Sequence, residues 1–115
     1  MKPLPNYLQS QRKRLALSQD EVGFLLGVRG WGKGEKVCRD ENFVREPSLQ
    51  DALVYQEIYG KPVSELFAGL YRQVQGEVQA RAKYLSFRKL RKPNVRKQQT
   101  IIRLANLAKI NPSNQ

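Results

Sequence analysis

Apolar residues in this chain recur three and four positions apart, and nowhere does an alternation of period two persist, so an all-α fold is expected. The punctuation fits helices as well. Pro3 and Pro5 keep the start extended, after which Tyr7 to Leu15 reads as a first helix with Leu8 and Leu15 inward and Arg12, Lys13 and Arg14 together. Ser18 offers an N-cap hydroxyl, Asp20 and Glu21 suit the positive end of a second helix, and Val22, Leu25 and Leu26 form its apolar face before Gly27 stops it. Three alternating glycines through Gly30-Trp31-Gly32-Lys33-Gly34 predict a loop, and a third helix is expected from about Gly34 to Asn42.

Pro47, followed by Ser48 with Asp51 three places on, marks the start of a fourth helix. Leu49, Ala52, Leu53, Gln56 and Tyr59 are expected to line one side of it, and Gly60 to end it. Pro62 and Ser64 open a fifth, long helix in which Leu66, Leu70, Val74, Val78 and Ala82 to Leu85 keep helical spacing despite Gly69 and Gly76. Arg88 to Asn94 reads as a charged hinge around Pro93. Ile101, Leu104, Ala105 and Ala108, with Ile102 and Leu107 beside them, then mark a last amphipathic helix up to about Ile110.

The residue types narrow the chemistry. With 115 residues the chain amounts to one domain and a tail. The absence of histidine and the presence of a single cysteine, Cys38, remove Cys/His zinc clusters, an internal disulfide and any mechanism that needs an imidazole base. The carboxylates are scattered, and the neighbours Asp20-Glu21 and Asp40-Glu41 point in different directions on a helix. Neither a metal site nor an acid–base pair is therefore expected, and the chain reads as a non-enzyme without a cofactor. Cys38 reads as a small packing residue, with a redox thiol as the rival. No apolar run reaches the roughly 18–20 residues of a membrane span, and the opening residues lack the apolar stretch of a signal peptide, so a cytoplasmic location is expected.

Charge is the most uneven property. The net charge is +11. Met1 to Glu77 holds 11 basic and 10 acidic residues, whereas Val78 to Gln115 holds 10 basic residues and no acidic one. A field of one sign invites a polyanion, and release of condensed counterions makes nucleic acid the default partner, with an anionic lipid surface as its rival.

Two short helices joined by a turn, the second with a polar and basic outer side, describe a helix-turn-helix. Arg12 followed by Leu17-Ser18-Gln19, then Leu25-Leu26-Gly27-Val28, Val37-Cys38-Arg39-Asp40-Glu41, Glu46-Pro47-Ser48-Leu49 and Pro62-Val63-Ser64-Glu65-Leu66-Phe67 carry a resemblance to a known family. In order and spacing these stretches resemble the phage-repressor-type (XRE, lambda-repressor-like) helix-turn-helix transcriptional regulators. The resemblance implies a five-helix lambda-repressor-like DNA-binding bundle over residues 6–71 and leaves residues 72–115 as a basic helical extension. It implies that Ser18 and Gln19 touch a DNA phosphate and that Arg12 pairs with Glu41 across the first and third helices. Val37 would be the inward residue of the third helix.

The outer side of that helix then carries Glu35, Lys36, Arg39 and Asn42. Arg39 is the first choice for a base contact because its planar fork suits guanine O6 and N7, with Lys36 and Glu35 as further base contacts. Arg29, Lys33, Asn42 and Arg45 are expected on phosphates. Departures from the family pattern are also visible. The turn between Val28 and Val37 is about four residues longer than usual, Cys38 stands where serine or threonine is common, Asp40 where an aromatic or aliphatic residue is common, and Phe43 where a glycine ends the helix. Trp31 in that longer turn either packs over the bundle or lies against a sugar or base. No strand precedes the glycines, and neither phosphate-loop spacing is met.

Two readings of the last third stay open. Arg81, Lys83, Arg88, Lys89, Arg91, Lys92, Arg96 and Lys97 extend a DNA footprint, with Tyr84 and Phe87 stacking on unpaired bases. Alternatively, Leu70, Val74, Val78 and Leu85 with the last helix form a dimer seam whose outside is basic. The expected function is that of a homodimeric, sequence-specific regulator of double-stranded DNA, in the manner of a repressor. Its rivals are an antitoxin-like or adaptor module that takes a protein partner through the C-terminal helices, and an RNA- or single-strand-binding protein.

Overall fold

The structure, a computed structural model, describes residues 6–30, 33–88 and 94–106. Regular structure among the described residues is entirely helical: α1 (Leu8–Arg14), α2 (Gln19–Leu25), α3 (Lys33–Glu41), α4 (Leu49–Tyr59), α5 (Val63–Leu66), α6 (Ala68–Phe87) and α7 (Val95–Ala105). The chain divides into two compact units, Met1–Tyr71 and Arg72–Gln115, with the boundary inside α6.

Each of the first five helices sends at least one side chain into a common core made of Leu8, Val22, Val37, Ala52, Tyr55, Tyr59, Leu66 and Phe67. Local chemistry sets the ends. Ser18 Oγ accepts the Glu21 N–H while the Glu21 carboxylate accepts the Ser18 N–H, a reciprocal capping box that starts α2. Ser48 Oγ accepts the Asp51 N–H at the head of α4, and Gly60, at φ 66°, closes that helix in the left-handed region. Gln56 turns its Oε1 to the Val63 N–H, so the side chain of one helix caps the next. Two non-glycine residues, Ala16 and Phe43, also take positive φ, at 58° and 51°. Both sit just past a helix end, where a left-handed residue lets the chain reverse. The Arg12 guanidinium braces the first of these turns by donating Nη1 to the Leu17 carbonyl.

Several expectations need correction. The long fifth helix is divided, because Phe67 leaves the helical region at φ −120°, ψ 48°. Neighbours on one continuous helix point about 100° apart, whereas the break lets Leu66 and Phe67 both enter the core. The third helix begins at Lys33, so Gly34 lies inside it instead of in the loop. Leu15, Leu25, Leu49 and Leu53 are exposed instead of inward. α1 ends before Leu15, and the partly buried Leu17 packs against the core. In α4 the apolar residues surround the helix, so spacings of three and four are met by more than one stripe. The stripe that is buried is Ala52, Tyr55 and Tyr59, because the facing side of α3 supplies Tyr55 with a hydrogen-bond acceptor.

In the second unit Ala82 and Ile101 are buried, and Gln79 Nε2 donates to the Ala105 carbonyl across α6 and α7. Asn94 caps α7 by accepting the Lys97 N–H. The readings that concern Pro3, Pro5, Trp31, residues 89–93 and residues 107–110 fall outside the described residues.

Candidate nucleic-acid interface

The pairing of α2 with α3 depends on two glycines at their contact. A Cβ on Gly23 would stand 2.1 Å from the Lys33 carbonyl oxygen and 2.6 Å from its carbon. A Cβ on Gly34 would stand 2.7 Å from Asp20 Oδ1 and 2.9 Å from Gln19 Cβ. At Gly23 backbone therefore meets backbone, and at Gly34 backbone meets the Asp20 and Gln19 side chains, where a Cβ would hold the helices apart. Asp20 Oδ1 also accepts the Gly34 N–H at 2.9 Å, satisfying a first-turn donor of α3 from the α2 side. This glycine-and-aspartate contact was not part of the sequence reading. A glycine inside the amphipathic pattern of α2 was its only visible signal.

The inner side of the pair is fastened by charge. Arg12 donates Nε to Glu41 Oε2 at 2.6 Å and Nη2 to Oε1 at 3.3 Å, and Gln19 Nε2 donates to the same Oε1 at 3.0 Å. The two charged side chains are 11% and 3% exposed. The hydrogen bond to Glu41 raises the Arg12 pKa above its ordinary value against an opposing desolvation. Gln19, expected at a phosphate, is thus engaged with Glu41, and Ser18 with the cap of α2. Glu21, accepting from the Ser18 backbone and hydroxyl, is held below the usual carboxylate range.

Asp40 sits deeper, with Oδ2 accepting from the Tyr55 hydroxyl at 2.7 Å while Oδ1 has no partner among the described residues. Its backbone carbonyl accepts from Asn6 Nδ2 at 3.0 Å. Burial pushes the Asp40 carboxyl up, partly offset by the Tyr55 hydrogen bond. The same burial, reinforced by Asp40, drives the Tyr55 hydroxyl upward, and desolvation does likewise for Tyr59. An aspartate in an otherwise apolar helix position is legible in sequence, but its pairing with a tyrosine on α4 is not.

On the outer side of α3, Glu35 and Arg39 are half to two-thirds exposed and pair with each other along the helix at 2.5 Å. Lys36, expected at a base, gives its ammonium to Asp51 Oδ2 at 2.6 Å and so ties α3 to the head of α4. Asn42 folds back to donate Nδ2 to the Cys38 carbonyl at 2.9 Å. Lys33 lies over the Phe24 ring, 4.8 Å from its centroid. Arg29 and Arg45 are exposed and make no ion pair among the described residues. Of the basic tail, Arg88, Arg96 and Lys97 are exposed, while Lys89, Arg91 and Lys92 lie outside the described residues.

No cluster of three metal-ligating side chains occurs among the described residues, and no described helix is long and apolar enough to cross a membrane. Comparison of the chain with protein-family models, characterised proteins and solved structures gives no match.

Proposed function

We propose that residues 6–71 form a lambda-repressor-like helix-turn-helix bundle, and that the chain is a dimeric, cytoplasmic regulator of transcription, a repressor that reads duplex DNA with α3. The observation that supports this most is the division of labour on α3. Its inner side is immobilised through Val37, Asp40 and Glu41, while its outer side presents Arg39 with only a solvent-exposed carboxylate as partner. An exposed pair four residues apart contributes about 0.3–0.5 kcal/mol, so exchanging Glu35 for a guanine edge costs little. The guanidinium fork matches guanine O6 and N7 bidentately, and each such pair discriminates by about 1–3 kcal/mol. Lys36 then sets the position of α3 through Asp51, and Arg29 and Arg45 grip phosphates. In a dimer the two copies of α3 would meet successive major grooves about 34 Å apart.

Selection from random duplexes followed by gel shifts at two salt concentrations tests the reading. Sequence-selective binding is expected. Arg39→Ala should relax preference at one base pair per half-site by about tenfold or more. Arg45→Ala should weaken all sequences alike and reduce the salt slope by about one. A folded Arg39→Ala protein that discriminates as well as the parent would sink the assignment.

A further inference from the structure

The second unit carries a surface that the α3 reading does not use. Phe87 is 88% exposed and Tyr84 62% exposed. At about 3.6 residues per turn they fall on the side of α6 opposite the buried Ala82. Neither ring serves the core of its own unit. The Arg88 guanidinium lies over the Tyr84 ring, 5.6 Å from its centroid, and Arg81 stands one turn before Tyr84 on the same flank. Lys83, four residues before Phe87, borders the second ring. Arg81, Lys83 and Arg88 are exposed and form no ion pair among the described residues, and no carboxylate follows Glu77 in the sequence.

Two exposed rings interleaved with unneutralised cations pose a specific chemical question. Cations alone are satisfied by any polyanion, duplex DNA included, but duplex bases are stacked on each other and offer no face to a protein ring. Unpaired bases do offer one, and their phosphates supply the charge that Arg81, Lys83 and Arg88 lack. A second copy of the chain is the poorer fit, because each copy brings ten basic and no acidic residues beyond Glu77 and the copies repel one another. We propose that the outer side of α6, through Tyr84 and Phe87 with Arg81, Lys83 and Arg88 around them, is a single-stranded nucleic-acid platform that stacks bases without regard to sequence. It uses none of the residues assigned to the α3 reading and does not rest on that reading.

Binding of the full chain is measured by fluorescence anisotropy with a labelled oligodeoxythymidine of about 20 nucleotides, long enough for the site sizes usual in strand-binding proteins. A random duplex of equal length and heparin, a polyanion without bases, serve as references. The double variant Tyr84→Ala/Phe87→Ala should lose about tenfold or more in affinity for oligodeoxythymidine, while its affinities for heparin and the duplex stay within twofold of the parent's. Because both rings are exposed, circular dichroism should show unchanged helicity. Arg39→Ala should leave oligodeoxythymidine binding intact, so failure of the α3 reading and failure of this one are read separately. The proposal is overturned if the double variant binds oligodeoxythymidine as tightly as the parent, which would leave only electrostatics. It is equally overturned if sedimentation shows the double variant converted from dimer to monomer, which would make the rings a subunit seam.

Discussion

Most charges of α3 are paired within the first unit, whereas those on the outer side of α6 form no ion pair among the described residues. Around α3 nearly every charged group has an intramolecular partner: Arg12 with Glu41, Lys36 with Asp51, Glu35 with Arg39. On α6 the cations Arg81, Lys83 and Arg88 form no ion pair among the described residues, and Tyr84 and Phe87 are exposed. The two glycines at mid-helix summarise the contrast. Gly23 of α2 touches the backbone of α3, whereas nothing lies within 4 Å of where a Cβ on Gly76 of α6 would be. A helix whose charges are paired within the chain is positioned by its own packing, whereas the outer side of α6 is not positioned in that way.

The largest effect is expected from Gly23→Ala. The new methyl group would meet the Lys33 carbonyl at less than any real contact distance, and because the obstacle is backbone, α3 itself must move. Overpacking usually costs about 1–3 kcal/mol and more when backbone is displaced, so a loss of about 4 kcal/mol is expected in urea denaturation, and the proposed duplex binding should go with it. Retention of parental stability would show that α2 and α3 are less tightly apposed than described. Next in size is Arg12→Ala, which strands Glu41 in a site that is 3% exposed. Removing one partner of a buried pair costs about 3–5 kcal/mol, and the lower end is expected here because Gln19 still donates to Glu41.

Much of the first unit was legible in the residues, and the reasons differ by element. Ser18 and Ser48 announced their helices because a cap is a local matter between a side chain and the backbone three residues on. The Arg12–Glu41 contact could be named only through the family resemblance, since no local rule links residues so far apart in sequence. On α4 the expected stripe holds at Ala52 and Tyr59 but fails at Leu49 and Leu53 and omits Tyr55, because periodicity cannot choose between two apolar faces without knowing what each will meet. Tyr55 is buried where Asp40 can accept a hydrogen bond from its hydroxyl, a fact held by α3 and not by α4. The engagement of Lys36 by Asp51 and of Gln19 by Glu41 was likewise invisible, since a polar residue on an outward helix side reads the same whether it faces solvent or a neighbouring helix.

That Asp40–Tyr55 contact gives a smaller effect with a pH signature. Burial raises the Asp40 pKa in the folded chain, while in the unfolded chain an aspartate titrates near 3.9, about its ordinary value. As pH rises, the unfolded state therefore loses this proton first. Stability falls from the ordinary aspartate range up through the raised value and is level beyond it. Asp40→Asn should remove that decline, measured as the difference between parent and variant in denaturation series at acidic and neutral pH. Tyr55→Phe takes away the hydrogen bond that favours the charged carboxylate. It should cost about 1–3 kcal/mol, and more at neutral than at acidic pH. A decline of equal size in the parent and in Asp40→Asn would assign it to another group.

The smallest effect is expected on α6. Gly76 lies inside α6 in helical backbone, so it lacks the conformational reason that fixes glycine at a left-handed turn, and there is no neighbour for a methyl group to strike. Glycine in a helix interior is about 1 kcal/mol less favourable than alanine, and Gly76→Ala should therefore stabilise the helix by up to that amount. Helicity by circular dichroism and the midpoint of thermal unfolding report it. The sign is the informative part, because the same substitution destabilises at Gly23. If Gly76→Ala proves destabilising, a surface occupies the space around Gly76 in solution that the isolated chain does not contain.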